Sequence, residues 1–340
     1  MMAVEDLSSD PGGNTLRAAL GLIPRARRDD LPAVELVRRG VVVDRDHLAS
    51  YDRVCGFRLS DVLPATYPQV LAFPTVMRLL TAPDFPLPAV GLVHIANRIT
   101  TTRPLLASDR MDLSVTAADL RPHHRGRQVD IHVSASVEGA EVWSSVSTYL
   151  SRSGRPPSSS VAPSSSPAAA PSPAPTPLSA VPASSTVPPP PGPSLSPAPP
   201  PASAPSSLAS HTSSSALSPA PRPSSSMQPL SSLPAASAVW RVPVSVGGAY
   251  AAASGDRNPI HTSRVGARLF GFPRPIAHGM WTLARCLAFF EGRLPPAYIV
   301  DVAFRQPILL PGKVSFWADD AGNFGVYGKR PHLAGQLTPA

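Results

Sequence analysis

Two stretches of the chain carry apolar residues at the spacing of a buried helix, and each is followed by strand-like segments. The first stretch is 69–80 and the second is 278–292. Residues three and four apart share one face of a helix, so each stretch predicts a helix with a buried face. Short apolar or alternating runs bounded by turn residues predict strands. These predicted strands are 92–99, 113–118, 128–137 and 142–149 in the first copy, and 298–305, 314–318 and 324–327 in the second.

The two sets of elements have the spacing of an internal repeat. Tyr51 precedes Gly56 by five residues, and Tyr250 precedes Gly255 by the same interval. Farther along, residues 93–98 and 300–305 share Val, Ala and Arg in register. The interval from the tyrosine to this arginine is 47 residues in the first copy and 55 in the second. Three anchors with similar spacing predict two copies of one folding unit.

A segment of different composition separates the two copies. From 156 to 238 the chain consists mainly of Pro, Ser and Ala, and Arg222 is its sole charged residue. Such a segment has too little apolar bulk to repay the entropy of ordering, which predicts a disordered, partly polyproline II linker. We therefore expect domains at 1–155 and 239–340, joined by a linker at 156–238. A proline-rich ligand for SH3-like or WW-like domains is the alternative for this segment.

Charge and cysteine usage exclude several classes of protein. The formal net charge is +8, but the basic residues are mostly scattered arginines without interleaved aromatics or a nucleic-acid-binding motif. The two cysteines, Cys55 and Cys286, do not suit a disulfide scaffold, and neither has a Cys or His partner at metal-ligand spacing. No apolar run approaches the roughly 20 residues that span a bilayer. With an N-terminus unlike a signal peptide, the sequence predicts a cytoplasmic protein without a metal, a membrane span or a nucleic-acid partner.

The stretch 254–263 places a carboxylate and an imidazole five positions apart where a loop passes into a short helix. Asn258 and Pro259 signal a turn and a helix start, because proline is tolerated in the first helical turn. Asp256 precedes this turn, and His261 follows about one turn into the helix. One rigid corner could thus direct both side chains into one pocket. Taken alone, Asp256 could instead be the N-cap of the short helix.

This corner and a second motif resemble the MaoC-like, R-specific enoyl-thioester hydratases and dehydratases. The corner motif consists of Tyr250, Gly255, Asp256, Asn258, Pro259 and His261. The second motif, Ile-Ala-His-Gly-Met-Trp at 276–281, resembles the start of the long central helix of the hot-dog fold in that family. The resemblance implies an α+β double hot-dog, in which a long central helix wrapped by an antiparallel sheet occurs twice.

The resemblance also implies a chemistry, the reversible hydration of trans-2-enoyl thioesters to (R)-3-hydroxyacyl thioesters. Asp256 is then expected to act as base towards a water, with His261 positioning that water and exchanging a proton with carbon 2. The backbone N–H of Gly279 would stabilise the charge on the thioester oxygen. Supporting roles are expected for Gly255, Asn258 and His278. No cofactor is expected beyond the coenzyme A or acyl carrier protein phosphopantetheine of the substrate.

The first copy departs from this pattern. Counting from Gly56 puts Phe57 and Val62 at the positions of Asp256 and His261, and neither side chain can move a proton. Where the second copy has His-Gly at its helix start, the first is expected to have Ala-Phe-Pro-Thr at 72–75. We therefore expect the first copy to be catalytically empty and to line the acyl-chain pocket. One active site per chain, between the halves, is predicted.

Several alternatives stay open at this level. A basic cluster at 121–127 offers Arg125 and Arg127 as candidates for a positive rim that attracts a thioester carrier, or it is a solvated hairpin turn. The chain could be a hot-dog thioesterase, which also uses a carboxylate and a helix-end donor, or a non-catalytic acyl-thioester binding or scaffold protein. The halves could pair within one chain or between the chains of a homodimer.

Overall fold

A computed structural model describes residues 2–7, 29–152 and 235–340. The predicted linker at 156–238 lies outside the described residues except for its last four. The first strand after it begins at Ala238, so the expected start of the second domain coincides with the start of a strand. The linker itself stays a prediction.

The N-terminal copy combines two helices with a set of long strands. Its elements in chain order are β1 (Ala3–Asp6), β2 (Val34–Val41), α1 (Arg45–Cys55), α2 (Tyr67–Leu80), β3 (Leu92–Thr101), β4 (Met111–His123), β5 (Gly126–Val137) and β6 (Ala140–Arg152). The helix and four strands predicted from periodicity all form. Among the described residues, β1, β2 and α1 were not predicted.

The C-terminal copy repeats this order with two additional short helices. Its elements are β7 (Ala238–Val242), α3 (Ser245–Ser254), α4 (Pro259–Thr262), α5 (Arg264–Leu269), α6 (Gly279–Phe289), β8 (Tyr298–Phe304), β9 (Gly312–Ala318), β10 (Asn323–Tyr327) and β11 (Pro331–Pro339). The predicted helix and three strands are confirmed, whereas β7, α3, α5 and β11 were missed. No helix in the described ranges has the length and apolar character needed to cross a bilayer.

One sheet runs through both copies. Its strand order is β1-β2-β4-β5-β6-β3-β8-β11-β10-β9-β7, and every pairing is antiparallel except that of β1 with β2. The order β2-β4-β5-β6-β3 has the same connectivity as β7-β9-β10-β11-β8, which confirms the internal repeat. The copies meet where β3 pairs with β8, from Ala96 opposite Ala303 to Thr101 opposite Tyr298. The two halves therefore pair within one chain, in the expected double hot-dog arrangement.

The repeat anchors mark equivalent helix ends. Gly56 ends α1 with φ of 82°, and Gly255 ends α3 with φ of 77°. Both lie in the left-handed region, where glycine carries no penalty from a Cβ atom. Tyr51 and Tyr250 are both buried, and their ring centroids lie 6.1 Å apart. The equivalent tyrosines thus pack on each other across the junction of the copies.

The long helix α6 is also bonded to the end of α1. Trp281 donates its indole N–H to the carbonyl oxygen of Val54 at 3.0 Å, and the Arg285 guanidinium donates to the carbonyl oxygen of Gly56 at 3.3 Å. The Cys286 thiol on the same helix is fully buried, as expected of a core residue. These contacts fix the central helix of one copy against the other.

The expected position of the counterpart of His261 in the first copy is wrong. Val62 forms an isolated bridge with Leu106, and Ile276 forms the corresponding bridge with Leu309. Val62 therefore corresponds to Ile276 and not to His261. In the N-terminal copy the bridge residue follows the helix-ending glycine by six positions. In the C-terminal copy it follows by 21 positions. The N-terminal copy lacks the whole segment that carries α4 and α5.

The expected helix start at 72–75 is wrong as well. Helix α2 begins at Tyr67 with Thr66 as its N-cap, and Pro68 occupies its first turn. Pro74 lies inside the helix. The residues that correspond to His278 and Gly279 are thus Thr66 and Tyr67, and this pair also differs from His-Gly.

The bond between Trp281 and Val54 should contribute measurably to stability. In Trp281→Phe the Val54 carbonyl loses its donor, and leaving a buried acceptor unpaired costs about 1–3 kcal/mol. Trp240→Phe is the control, because the described residues offer its indole N–H no hydrogen bond. We expect urea denaturation to show a larger loss of unfolding free energy for Trp281→Phe. An equal loss in both variants would show that the hydrogen bond adds nothing.

Candidate active site

The loop after α3 holds Asp256 by backbone hydrogen bonds. Ser254 Oγ accepts from the Asp256 backbone N–H at 3.2 Å, and Asp256 Oδ1 accepts from the Asn258 N–H at 3.2 Å. Asn258 is the N-cap of α4, since its Oδ1 accepts from the Ile260 N–H at 3.2 Å. The capping role is therefore filled by Asn258, and Asp256 keeps its Oδ2 atom for other partners.

His261 lies on α4 with its side chain buried. Its Nδ1 donates a hydrogen bond to the carbonyl oxygen of Ile276 at 2.7 Å. In the neutral ring this bond leaves Nε2 without a proton, and Nε2 can act as an acceptor or base. Burial lowers the pKa of His261, while the Asp256 carboxylate acts in the opposite direction. The imidazole is therefore neutral near pH 7.

His278 joins the loop, the short helix and the long helix. It is the N-cap residue of α6, and its Nε2 donates to the backbone carbonyl of Asp256 at 3.0 Å, with Asp256 Oδ2 at 3.8 Å. Its ring stacks on His261 with the centroids 3.6 Å apart. Burial, together with the nearby His261, lowers the pKa of His278 to about 4. A neutral ring with this fixed tautomer agrees with a supporting role.

The long helix begins at Gly279, beside this histidine. Within the described residues, no side chain caps the first N–H groups of α6. These groups carry the positive end of the helix dipole. A Cβ atom at Gly279 would lie 3.1 Å from Cε1 of Phe304, so a larger residue would press on that ring. Glycine thus permits close approach to an open helix end.

The N-terminal copy also contributes side chains near Asp256. A Cβ atom at Gly255 would contact Cδ1 of Phe73 at 3.4 Å. The Asp256 carboxylate acts electrostatically on His94 and Tyr149, where it favours higher pKa values. Sequence reasoning missed all three of these residues. The one available signal was His94, an ionisable residue between the apolar Val93 and Ile95 of a predicted strand.

The basic candidates lie outside this cluster. Arg125 is exposed at the turn between β4 and β5, and Arg127 follows on β5 and pairs with Asp29 at 3.2 Å. The residues therefore do form a hairpin turn. Their role as a rim for a substrate carrier stays a prediction.

The structure also brings together three side chains that could hold a metal ion, those of Asp256, His261 and His278. One potential ligand atom from each lies within 4.8 Å of the other two. Spacing along the sequence did not predict this group, because 22 residues separate Asp256 from His278. One nitrogen of each histidine is already engaged with a backbone carbonyl, so the second nitrogen is the one available as a ligand.

Comparison with known proteins identifies the family. Residues 247–322 match the model of the MaoC-like domain, a range that includes Asp256, His261, His278 and Gly279. The 3-hydroxyacyl-thioester dehydratase X of Mycobacterium tuberculosis is 33% identical over 312 residues, which cover 91% of this chain and 89% of that protein. This chain belongs to the MaoC-like dehydratase family. It is accordingly a hydro-lyase.

Solved structures support the same assignment of this MaoC-like protein. The crystal structure of HtdX of Mycobacterium tuberculosis covers 90% of this chain and 100% of its own, with 28% identity and a TM-score of 0.64. A MaoC-like dehydratase from Phytophthora capsici covers 90% of this chain and 95% of its own, with 14% identity and a TM-score of 0.57. The second likeness shows the fold alone.

Two adjacent glycines allow a matched test of how the corner is held. A Cβ atom at Gly247 would lie 2.1 Å from the backbone oxygen of His261, whereas at Gly248, on the same helix, it would meet nothing within 4 Å. We expect Gly247→Ala to displace His261 and to lower turnover at least about tenfold, since small misplacements at a reacting group are costly. Gly248→Ala should keep its turnover. Equal turnover in the two variants, measured beside their melting temperatures, would contradict this packing.

Buried neutral histidines predict how stability depends on pH. Burial lowers the pKa of His94 and His278 to about 4, below the unfolded value of roughly 6.5. The unfolded chain then binds protons between these values that the folded chain does not, so stability falls as the pH falls through this window. Asp52 opposes this trend, because burial raises its pKa to about 7.

Urea denaturation between pH 4 and 6.5 checks this expectation. His278→Gln should lose part of the wild-type pH dependence, and Asp52→Asn should make it steeper. His124→Gln, at the exposed hairpin turn, is the control and should follow wild type. A His278→Gln curve parallel to wild type would show that this imidazole is not held neutral by burial.

Proposed function

We propose that this hydro-lyase interconverts trans-2-enoyl thioesters and (R)-3-hydroxyacyl thioesters. The observation that carries the proposal is that polar atoms of Asp256 and His261 lie within 4.8 Å of each other and of His278, the residue directly before the open helix end at Gly279. Hydration of an enoyl thioester needs the carboxylate, the imidazole and the helix end. A thioester substrate is also supported by the name of the mycobacterial relative.

Proton transfer is the task of Asp256 and His261 together. In the hydration direction, a water between the two side chains gives up a proton as its oxygen bonds to carbon 3. The pair accepts this proton and returns one to carbon 2, and dehydration reverses both steps. His261 Nε2 can receive the proton because Nδ1 is bonded to Ile276. One polar atom of Asp256 and one of His261 lie within 4.8 Å of each other, so the proton is assigned to the pair.

Charge on the thioester oxygen requires a donor. As carbon 3 is attacked, this oxygen acquires negative charge, and the N–H of Gly279 at the positive end of α6 would bind it. Removing a single donor of this type typically costs on the order of a hundredfold or more in rate. The missing side chain at Gly279 lets the thioester approach the backbone.

The carrier of the acyl group is coenzyme A or acyl carrier protein. Both present the thioester on a phosphopantetheine arm, and both are negatively charged. An exposed cation such as Arg125 would attract either of them over a distance. The reacting groups belong to the chain itself, so the proposed reaction needs no further cofactor.

We predict that an enoyl thioester loses its conjugated double bond only when Asp256 and His261 are both present. Absorbance of crotonyl-CoA and of a longer trans-2-enoyl-CoA should fall with wild type, and the product should be the (R)-3-hydroxyacyl thioester. Asp256→Asn and His261→Ala should each lower turnover by roughly 100-fold or more, the usual contribution of a general acid or base. Asp320→Asn, the same chemical change in the exposed turn between β9 and β10, should match wild type.

Other outcomes separate the alternatives. Release of free thiol from a saturated acyl-CoA, with no loss of conjugation, would indicate the hot-dog thioesterase. Binding of acyl thioesters without turnover, whether carried by coenzyme A or by acyl carrier protein, would indicate the binding or scaffold protein. Full turnover by folded Asp256→Asn would remove the pair from the mechanism.

A further inference from the structure

Helix α5 belongs to the segment that the N-terminal copy lacks, and it exposes one face to solvent. Ser263 caps the helix, because its Oγ accepts from the Gly266 N–H at 3.2 Å. Gly266 and Ala267 are buried on the inner face. A Cβ atom at Gly266 would lie 2.4 Å from Cβ of Pro259, the residue that begins α4. The helix is thus closely packed on its inner side, and its outer face is held in a fixed position.

The outer face of α5 has an apolar row. Val265 and Leu269 are four positions apart, which makes them neighbours on a helix. Their exposed fractions, 68% and 79%, are the highest of the large apolar side chains among the described residues. Phe270, which ends the helix, is also exposed. One exposed leucine is ordinary, but adjacent exposed apolar side chains are typical of a surface that a partner covers.

A basic row runs beside the apolar row. Arg264 and Arg268 are exposed and are likewise four positions apart. Arg257 and Arg274 are exposed on the same segment, and the one carboxylate between 255 and 277 is Asp256 of the candidate active site. Within the part of the chain that the structure describes, none of these four arginines forms an ion pair. The outer surface therefore has a positive charge that no neighbouring carboxylate neutralises.

This surface lies on the same loop as the candidate catalytic histidine. The Ile276 N–H donates to the carbonyl oxygen of Ile260 at 3.1 Å, and the His261 ring donates to the carbonyl oxygen of Ile276 at 2.7 Å. These two bonds close the loop from 260 to 276 at its base, and α5 lies within this loop. A partner bound to α5 is therefore bound to the segment that positions His261.

We infer that the outer face of α5 is a docking surface for an acidic acyl carrier protein that delivers the thioester. The inference rests on the proposed function, and it selects one of the two carriers. Val265 and Leu269 pack against apolar side chains of the carrier protein, and Arg264 and Arg268 pair with its carboxylates. An apolar centre with a charged rim is the usual composition of a protein interface. The complementary charges also accelerate the encounter.

The nucleotide end of coenzyme A fits this surface less well. Its phosphates would attract the arginines, but small ligands bind in concave sites that enclose most of their surface. The side chains of α5 project outward from a helix, and a phosphate offers no apolar partner to Val265 and Leu269. A protein partner uses both rows.

Turnover of one acyl group on two carriers tests the inference. The kcat/KM values of crotonyl-CoA and of crotonyl acyl carrier protein, made with the carrier protein of the same organism, would be compared. We expect Arg264→Glu combined with Arg268→Glu to lower kcat/KM for the carrier-protein substrate roughly tenfold or more, because like charges then face each other. The value for crotonyl-CoA should change at most about threefold, because exposed charges act on it only through screening solvent.

Matched variants identify the side chains responsible. Leu269→Ser keeps the charge and removes an apolar contact, so it should lower kcat/KM for the carrier-protein substrate alone, by roughly fivefold or more. Leu59→Ser changes another exposed leucine and is its control. Lys329→Glu combined with Arg330→Glu, in the exposed turn between β10 and β11, is the control for the double charge reversal. Both controls should match wild type with both substrates.

Several results would overturn the inference and leave the proposed function standing. One is an equal loss with both substrates, or no loss with either. Another is wild-type turnover of crotonyl-CoA but not of the carrier-protein thioester. With carrier-protein kinetics unchanged, a smaller sedimenting mass of Leu269→Ser would indicate a second copy of the chain on α5. Likewise, loss of binding to phosphatidylglycerol vesicles by the charge-reversal variant would indicate a membrane surface.

If folded wild type turns over neither thioester, the proposed function fails, and this inference fails with it.

Discussion

The hydrogen bond from His278 Nε2 to the backbone carbonyl of Asp256 holds three separate segments of the site in one arrangement. It ties the loop after α3 to the first residue before α6 at 3.0 Å. The same ring stacks on His261, which α4 carries. Burial keeps the imidazole neutral, so it is a fixed donor and does not compete for the proton assigned in the proposed reaction to Asp256 and His261. The distance between carboxylate, base and helix end therefore depends on this one side chain.

The two copies differ by an insertion more than by substitutions. Both use the same order of strands, and both end their first helix at a glycine of positive φ. Between that glycine and the next bridge, the C-terminal copy has 21 residues where the N-terminal copy has six. The added segment contains α4 and α5, and Gly247 gives the backbone of His261 room to pack on α3. The N-terminal copy thus has no counterpart of the segment that carries His261.

Periodicity and motif spacing predict much of the fold, because they report local structure. The helices at α2 and α6 follow from apolar residues three and four apart, and the corner follows from the order of Asp256, Asn258 and His261 in the sequence. Strand β11 was missed, since Pro331–Pro339 begins with proline and contains a glycine at its centre. Counting from Gly56 failed because a count assumes equal lengths, and the copies have unequal ones.

Contributions from the N-terminal copy could not be predicted from local sequence. His94 packs against Phe304 because β3 pairs with β8, which brings together residues about 200 positions apart, as in the ion pair of Arg98 with Asp301. Pairing between such distant strands is set by the tertiary fold, so it produces no characteristic spacing of residues in the sequence. The same pairing makes the expectation of a site between the halves reasonable, since Phe304 and His94 come from opposite sides of it.

The central claim is that one pair of residues and one helix end act on the same thioester. A crystal structure of Asp256→Asn with a bound 3-hydroxyacyl-CoA tests this most directly. The account predicts the thioester oxygen within hydrogen-bonding distance of the Gly279 N–H and the 3-oxygen between residue 256 and His261 Nε2. A thioester bound away from the start of α6, with His261 still bonded to Ile276, would contradict it.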